Sequence, residues 1–591
     1  VTRRAWLAAS LAAGFVSVTI AATGGFVASV GGVRVSARSW FPSAAIALLA
    51  CGAWAWSAGR RGAVRADLEG LHDVLEARGR PLALALACLT IAATLHWATY
   101  SSSGADASGY LSQAAMWSHL ATRVQDPLVT LPEWPLAAGD TAPLGWRPAL
   151  ERGWQVPTYA PGLPWLMAIP HAAAGTTGAV LVVALTAGLA VWATGALAWR
   201  LGGGVAALLA SLLMAASPTF LFQAFQPMSD VPVTAAWVTC WWLVAAGAPG
   251  GAGVAAALAV LVRPNLAPLA ALPWAVIVWS GPRAGARARA VRFAIPVALA
   301  GLAIALVQWG WYGSPFTSGY GTAGELFSLA NLAPNVRLYA GWLWQAERVI
   351  VITASLAAVS WGQAPNPPER RSSCDVSRNC REVGTDGACP RALVVGMALF
   401  AGGVTLAYLV YAVFEVWSYV RFLLPALAVT AAVSGAAIAR GLGALPQAAR
   451  GAVAMALLLA AWAAGLQTAR TLGVFQVAAV TARAREVGTE LRRVLPPNAV
   501  LLAGEQSGSM RYATNRPIVR WEPLDPASLR TTLSVLEAHG FDAWWILDQF
   551  EEAGVRARFA GMPEAALDWA PLVEAGPIMR TRAWRLGDRR R

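Results

Sequence analysis

The sequence predicts a mainly α fold: a polytopic transmembrane helical bundle of about 13 spans with a small C-terminal α/β domain. Three observations predict it. Hydrophobic residues make up 57% of the 591 and charged residues 13%, against about 45–50% and about 25% in ordinary soluble chains. The apolar residues fall into runs long enough to cross a hydrocarbon core of about 30 Å. Short arginine-bearing segments separate those runs, and from about residue 481 the composition turns to that of a soluble domain.

The elements follow in order. Arg3 and Arg4 precede an apolar run over 5–30, read as an uncleaved helix because it is long for a signal segment. A second run covers 41–58. Arg60, Arg61, Arg65, Arg78 and Arg80 follow it and place a 59–80 loop in the cytoplasm. A third run, 82–100, exits to the outer face and opens a polar loop over 101–162, with 163–174 as a partial or interfacial helix. Later runs lie near 177–199, 203–219, 231–247, 251–263, 265–280, 293–311, 341–361, 392–413, 420–439 and 451–470. Arg200, Arg283, Arg287, Arg289, Arg292, Arg370, Arg371, Arg378, Arg381, Arg391, Arg440 and Arg450 all fall on the cytoplasmic side in this count. The expectation is an inner (cytoplasmic) membrane protein whose N-terminus is cytoplasmic and whose C-terminal domain is extracytoplasmic.

Two units result, a membrane domain over 1–480 and a soluble domain over 481–591. In the second, helical periodicity over 482–494 leads to strand-like 499–503 and 517–521, a helix over 526–539 and a strand over 542–547.

The formal charge of +14 comes from 45 basic against 31 acidic residues, and every basic residue is arginine. The arginines sit between apolar runs and do not interleave with aromatics along a polar domain, so nucleic acid is not the expected partner. The 29 tryptophans outnumber the 16 phenylalanines and 10 tyrosines together, and many stand at the ends of apolar runs, where indole favours the lipid interface.

Cys374, Cys380 and Cys389 lie in the arginine-rich 362–390 loop, at spacings that match no zinc site. Free cytoplasmic thiols are expected there. The five histidines are scattered, and no H-E-x-x-H, P-loop or G-x-S-x-G arrangement is present. Soluble-type ATP, protease and esterase chemistry therefore lacks its machinery.

Four segments carry candidate chemistry. Asp106 opens the first external loop a few residues beyond a span, where a water-soluble acceptor and a lipid-borne substrate can meet. A carboxylate there suits a general base, although a helix N-cap is the ordinary duty of such a residue. Asp230, in Gln226–Pro232, lies between two runs on the same outer face. Two carboxylates facing one cavity suit acid/base work or a metal holding a phosphate. Arg263, before Pro264 and Asn265, and Arg421, in 417–425, are costly at membrane depth unless paired or lining a wet cavity. Without lysines nearby, two such guanidinium groups suit bidentate binding of a phosphate.

Taken in order, these segments resemble the GT-C integral-membrane glycosyltransferases, including the protein mannosyltransferase and aminoarabinose transferase relatives. The likeness is carried by 104–114, by 156–164 with Tyr159, by 226–232, by Arg263-Pro264-Asn265, by 312–321 with Tyr320, and by 421–425. It spans about residues 81 to 440, with two spans preceding the usual first. The resemblance implies an outward-facing site, a sugar donor on a polyprenyl phosphate, and Asp106 as the base that deprotonates an acceptor hydroxyl, with inversion at the anomeric centre. It assigns Arg263, Arg421, Tyr159, Asp230 and Tyr320 to donor-phosphate or substrate binding. It leaves the acceptor open among glycan, lipid and protein. The chain departs from the family where Ala105 and Ala107 flank Asp106, since relatives often carry a second acidic residue there. No cofactor is obligatory on this reading, and a divalent cation stays open. Trp117, Trp134, Trp146 and Trp154 are expected at the interface or stacked on sugar rings. A secondary transporter and a non-catalytic cell-envelope assembly protein are the competing classes.

Overall fold

The computed structural model describes residues 3–30, 33–59, 61–280, 284–363 and 390–590. Arg60, Arg283, and most of the 362–390 loop with its three cysteines lie outside the described residues.

The chain begins with α1 (Arg3–Thr23), a hairpin of β1 (Phe26–Val30) and β2 (Val33–Ala37), and α2 (Phe41–Ala58). The first apolar run is thus helical only to Thr23. Gly24 and Gly25, both at positive φ, end the helix and turn the remainder into a strand. The expected 59–80 loop is helical as well. It forms the polar half of α3 (Arg61–Trp97), a helix of 37 residues. Asp67 on that half accepts hydrogen bonds from Arg3 Nε at 2.5 Å and Trp54 Nε1 at 3.0 Å, which ties both preceding helices to α3. A carboxylate with no exposed side-chain surface needs such partners.

After α3 come α4 (Ala105–Ser118) and a three-stranded antiparallel sheet, β3 (Val124–Gln125), β4 (Trp146–Pro148) and β5 (Trp154–Pro157), with β5 central. Next is α5 (Gly162–Ala215), a helical stretch of 54 residues that is not one straight rod. It folds back at Ala174–Gly175 and again at Gly202–Gly203. At the second bend Gly203 has φ +83, and the Glu76 carboxylate on α3 accepts from the backbone N–H groups of Gly204 (2.8 Å) and Val205 (2.9 Å). The expected partial helix over 163–174 and the runs at 177–199 and 203–219 are the three limbs of this element.

The remaining helices are α6 (Pro218–Ala224), α7 (Asp230–Ala245), α8 (Pro249–Val262), α9 (Ala271–Ser280), α10 (Ala286–Tyr312), the single turn α11 (Ala323–Leu326), α12 (Leu332–Ala346), α13 (Arg348–Gln363), α14 (Pro390–Leu409), α15 (Leu424–Leu442) and α16 (Gln447–Thr471). The expected 341–361 span is broken at Glu347. That residue is buried, accepts from Ser217 Oγ (2.7 Å) and Thr219 N (2.9 Å), and so satisfies the start of α6. Among the described residues eight helices are long and apolar enough to cross a membrane, and four shorter apolar helices accompany them. Because α5 doubles back, its two longer limbs account for two of the expected spans. The chain is a multi-pass membrane protein. Its core packs α5, α7, α8, α14 and α15 around Trp237, Trp241, Phe225 and Phe400.

The last part comprises α17 (Val477–Val494), β6 (Ala499–Ala503), α18 (Ser507–Thr514), β7 (Ile518–Arg520), α19 (Pro526–Ala538), β8 (Asp542–Asp548), α20 (Glu552–Arg558), β9 (Val573–Ala575) and β10 (Thr581–Arg585). Its five-stranded sheet has the order β7-β6-β8-β10-β9, with β6 parallel to β7 and β8 and β10 antiparallel to both its neighbours. All five residues of β6 are buried, as expected of a strand covered on both faces. Asp525 starts α19 with a reciprocal capping box to Ser528 and Pro526 at the first helical position. This α/β unit rests on the 98–162 segment: Ser101 Oγ donates to Thr481 O (2.9 Å) and Ser509 Oγ to Ser102 O (2.5 Å).

Candidate active site

Asp106 is the second residue of α4, and Gly104, not Asp106, occupies the cap position. The capping duty that sequence alone would give it is absent. Its carboxylate instead accepts from Tyr159 Oη at 2.8 Å and from Arg421 Nη2 at 2.7 Å. Gly109, one turn further along α4, makes this geometry possible. A Cβ there would lie 2.1 Å from Tyr159 Cε2, so only glycine lets the tyrosine ring lie against the helix. Tyr159 follows β5 and packs on Tyr110 (centroids 4.7 Å apart) and Tyr320 (5.8 Å).

Arg421 comes from the 3₁₀ turn Trp417–Leu423 that leads into α15. Its guanidinium carbon lies 4.8 Å from the Tyr419 ring centre and 5.1 Å from that of Phe422. Such cation–π contacts offset part of the cost of desolvating the charge. Arg263 terminates α8 at φ −142 and ψ +85, because Pro264 clashes with a helical conformation in the residue before it. The break turns the guanidinium toward Asp230, the first residue of α7, whose Oδ1 accepts from Nη2 at 2.6 Å. Phe422 also lies 5.1 Å from the Arg263 guanidinium carbon, so one ring contacts both cations.

These two pairs, Asp106–Arg421 and Asp230–Arg263, line one cavity of about 240 Å³. Seven of the chain's ten tyrosines line it: Tyr110, Tyr159, Tyr312, Tyr320, Tyr408, Tyr411 and Tyr419. All six residues singled out from the sequence therefore meet at one place, although more than 300 positions separate the first from the last. Sequence reasoning gave no role to Tyr110, Ser229, Asn265 and Phe422, which lie in the segments it singled out, and missed Tyr408 and Tyr411. Tyr110 donates to Ser229 Oγ (2.8 Å), and Asn265 Nδ2 to Tyr408 Oη (3.0 Å), which ties α4 to α7 and α8 to α14 around the cavity. Tyrosine scarcity was the available signal, since a residue used ten times in 591 that clusters beside the motifs points at a shared site.

Of the two duties expected for the four external tryptophans, stacking on a sugar in this cavity finds no support, since none of them lines it. Trp117 packs on Trp165 and Trp311, Trp146 is buried in β4, Trp134 lies under the C-terminal unit, and Trp154 carries Arg123 on its ring.

Electrostatically the cavity is balanced, two carboxylates against two guanidinium groups. Burial raises the Asp106 carboxyl, but Arg421, Tyr159 and the more distant Arg263 outweigh it and hold the group below the usual carboxylate range. Arg421 Nε and Asp230 Oδ2 are buried and have no hydrogen-bond partner among the described residues. Each unmet buried polar atom costs roughly 1–3 kcal/mol. Both carboxylates face arginine, and no group of three His, Cys, Asp or Glu gathers among the described residues.

Many helices surround an aromatic cavity that holds two internal ion pairs. The chain has the fold of ArnT from Cupriavidus metallidurans, solved bound to undecaprenyl phosphate: the TM-score is 0.51 at 14% identity, over 85% of this chain and 97% of that one. The Archaeoglobus fulgidus oligosaccharyltransferase tethered to an acceptor peptide is also similar, with TM-score 0.46 and 12% identity over 80% of this chain and 69% of that one. The archaeal oligosaccharyltransferase AglB from the same organism, solved with an inhibitory peptide and a dolichol-phosphate, gives 0.45 at 12% identity over 80% and 70%. No family model matches the sequence, and no curated protein matches it.

Proposed function

We propose that the chain is a membrane glycosyltransferase that moves a sugar from a polyprenyl phosphate to an acceptor hydroxyl on the extracytoplasmic face. The observation that carries this reading is the Asp106–Arg421 pair inside a cavity that also holds a second, independent arginine. The ArnT fold, found there with undecaprenyl phosphate, supports the donor class.

The chemistry balances within the cavity. Asp106 takes the proton of the acceptor hydroxyl, and the freed electron pair forms the new bond to the anomeric carbon. The bond from that carbon to the phosphate oxygen breaks, and its pair leaves on the phosphate, which passes from monoanion to dianion. A single displacement inverts the anomeric centre. Asp106 loses its negative charge as the phosphate gains one, so the site's net charge is constant through the step. Arg421 serves both partners: it restrains the base at rest, and its guanidinium stabilises the charge that grows on the leaving group. Preorganised donors aimed at developing charge are the strongest lever available to such an enzyme. Arg263, fixed by Asp230, supplies the second cation, and no step is assigned to a divalent metal, since arginine already stands opposite each carboxylate. Tyr159 orients Asp106, and Tyr320, against the Tyr159 ring and partly exposed, closes the sugar side.

Radiolabelled sugar transfer tests the reading, with membranes containing the protein supplied with a panel of polyprenyl-phosphate sugars. Label moving to a membrane or envelope acceptor is expected. Solute uptake with no transfer from any donor would replace the enzyme with a transporter. Labelling of a cysteine placed between 565 and 575 by an impermeant reagent in intact cells, with Cys374 spared, is the expected sidedness.

A further inference from the structure

In an open α/β sheet, ligands bind where the parallel strands end. The parallel strands here are β7, β6 and β8, and their carboxyl ends lead into Gly504-Glu505-Gln506, Trp521-Glu522 and Asp548–Glu551. This edge is the one that docks onto the membrane domain: Arg520 N donates to Asp140 O at 2.7 Å, and Leu144 N to Ser507 Oγ at 3.2 Å.

Most polar groups on the edge are engaged in structure. Asp548 takes both Arg483 Nε (3.0 Å) and Nη2 (2.9 Å), together with Gln506 Nε2 (2.9 Å). Glu551 accepts from the N–H groups of Asp548 (2.8 Å) and Glu505 (3.1 Å) and from Trp521 Nε1 (3.2 Å). The Glu505 side chain is different. Its backbone is fixed by Glu551, yet the residue is exposed and its carboxylate has no hydrogen-bond or ion-pair partner among the described residues. Its Oε1 lies 3.9 Å from the point a Cβ on Gly104 would occupy, and Gly104 is two residues before Asp106. Its electrostatic influence reaches Asp106 and Tyr419 in the cavity.

We propose that Glu505 is an acceptor-binding residue, by which the C-terminal domain holds the hydroxyl groups of a glycan acceptor and directs one of them toward Asp106. The inference rests on the glycosyltransferase reading and deepens it. A carboxylate only accepts hydrogen bonds, and its two oxygens match neighbouring hydroxyls on a sugar ring. It also repels anions, so the phosphate-bearing donor is kept to the arginine side and the uncharged, hydroxyl-rich acceptor approaches past Glu505. Trp521, which crowds Gly504 beside it, places an indole at the same strand ends.

The test uses the full-length protein in lipid nanodiscs with two probes. Undecaprenyl phosphate binding reports the donor site, and transfer from a polyprenyl-phosphate sugar is compared between a series of methyl glycosides and a threonine-containing hexapeptide as acceptors. Glu505→Gln is expected to raise the KM for the glycoside tenfold or more, leaving undecaprenyl phosphate affinity and kcat within twofold, and Glu505→Asp to recover part of the loss. A variant equal to the wild type, a loss of donor affinity as large as that of acceptor, or transfer to the peptide alone would each overturn the assignment while leaving the glycosyltransferase reading intact. A wild type that neither binds undecaprenyl phosphate nor transfers sugar would overturn both. Thermal unfolding of each variant separates a docking defect, which lowers the melting temperature, from a lost acceptor contact, which does not.

Discussion

Asp106 and Arg421 lie 315 positions apart and meet at 2.7 Å, with Tyr159 on the other carboxylate oxygen. In the proposed reaction the guanidinium that stabilises the ionised carboxylate also stabilises the departing phosphate. In the proposed reaction, proton uptake by Asp106 and charge growth on the phosphate are therefore coupled through one side chain.

The first consequence is in the pH profile. Asp106 works only when ionised, and its neighbours hold its pKa below the ordinary carboxylate value of about 3.9, despite burial. Transfer is expected to persist to low pH, and the acid limb of kcat/KM to move upward in Tyr159→Phe, which removes one hydrogen bond to the carboxylate. An acid limb that stays in place in this variant would remove Tyr159 from the control of the base.

Arg421→Lys keeps the charge and loses the planar fork. One charge-assisted hydrogen bond is worth about 1.5–3 kcal/mol, or roughly 10- to 100-fold. Undecaprenyl phosphate affinity, measured by titration in nanodiscs, should fall within that range. Unchanged affinity would reduce Arg421 to an anchor for its turn.

Asp230→Asn should act mainly on folding. Asp230 and Arg263 have side chains only 1% and 13% exposed, and removing one partner of a buried pair costs about 3–5 kcal/mol. Detergent-solubilised variant should unfold at lower temperature, and the double change Asp230→Asn with Arg263→Met should regain stability without regaining transfer. A single variant as stable as the wild type would mean that Arg263 finds another partner or water.

Glu551 makes the C-terminal domain sensitive to pH. Burial pushes its carboxyl up to about 7, against the pull of its backbone donors. A folded-state pKa above the unfolded value of about 4.3 favours the protonated, folded form at low pH. That contribution is complete below about pH 4 and is lost as pH rises through 7, a change of up to about 3 kcal/mol. Domain unfolding followed from pH 4 to 8 should show the slope, and Glu551→Gln should flatten it whatever its effect on absolute stability. An equal slope in the variant would assign it to another group.

Much of this was legible from the sequence because membrane folding leaves few choices. A run of apolar residues must be helical where no water is present to satisfy the backbone, and an arginine within it must be paired, which singled out Arg263 and Arg421. The strands and helices of the C-terminal domain were readable from their periods, with α18, α20, β9 and β10 escaping notice because each is short. Two kinds of feature stayed hidden. The polar start of α3 read as a loop because its burial depends on Arg3 and Trp54 from elsewhere in the chain. Partners were also invisible. Nothing local marks Tyr408 as the acceptor for Asn265, or Glu505 as a neighbour of Gly104, since docking of distant elements creates both contacts.

The most direct measurement is single-turnover transfer from a polyprenyl-phosphate sugar by Asp106→Asn, with undecaprenyl phosphate binding measured on the same preparation. Asparagine keeps the shape and cannot take the proton, and a general base contributes about 10²- to 10⁴-fold. The expected result is a rate lower by that factor with phosphate affinity preserved. A rate within twofold of the wild type would contradict the proposed role of Asp106.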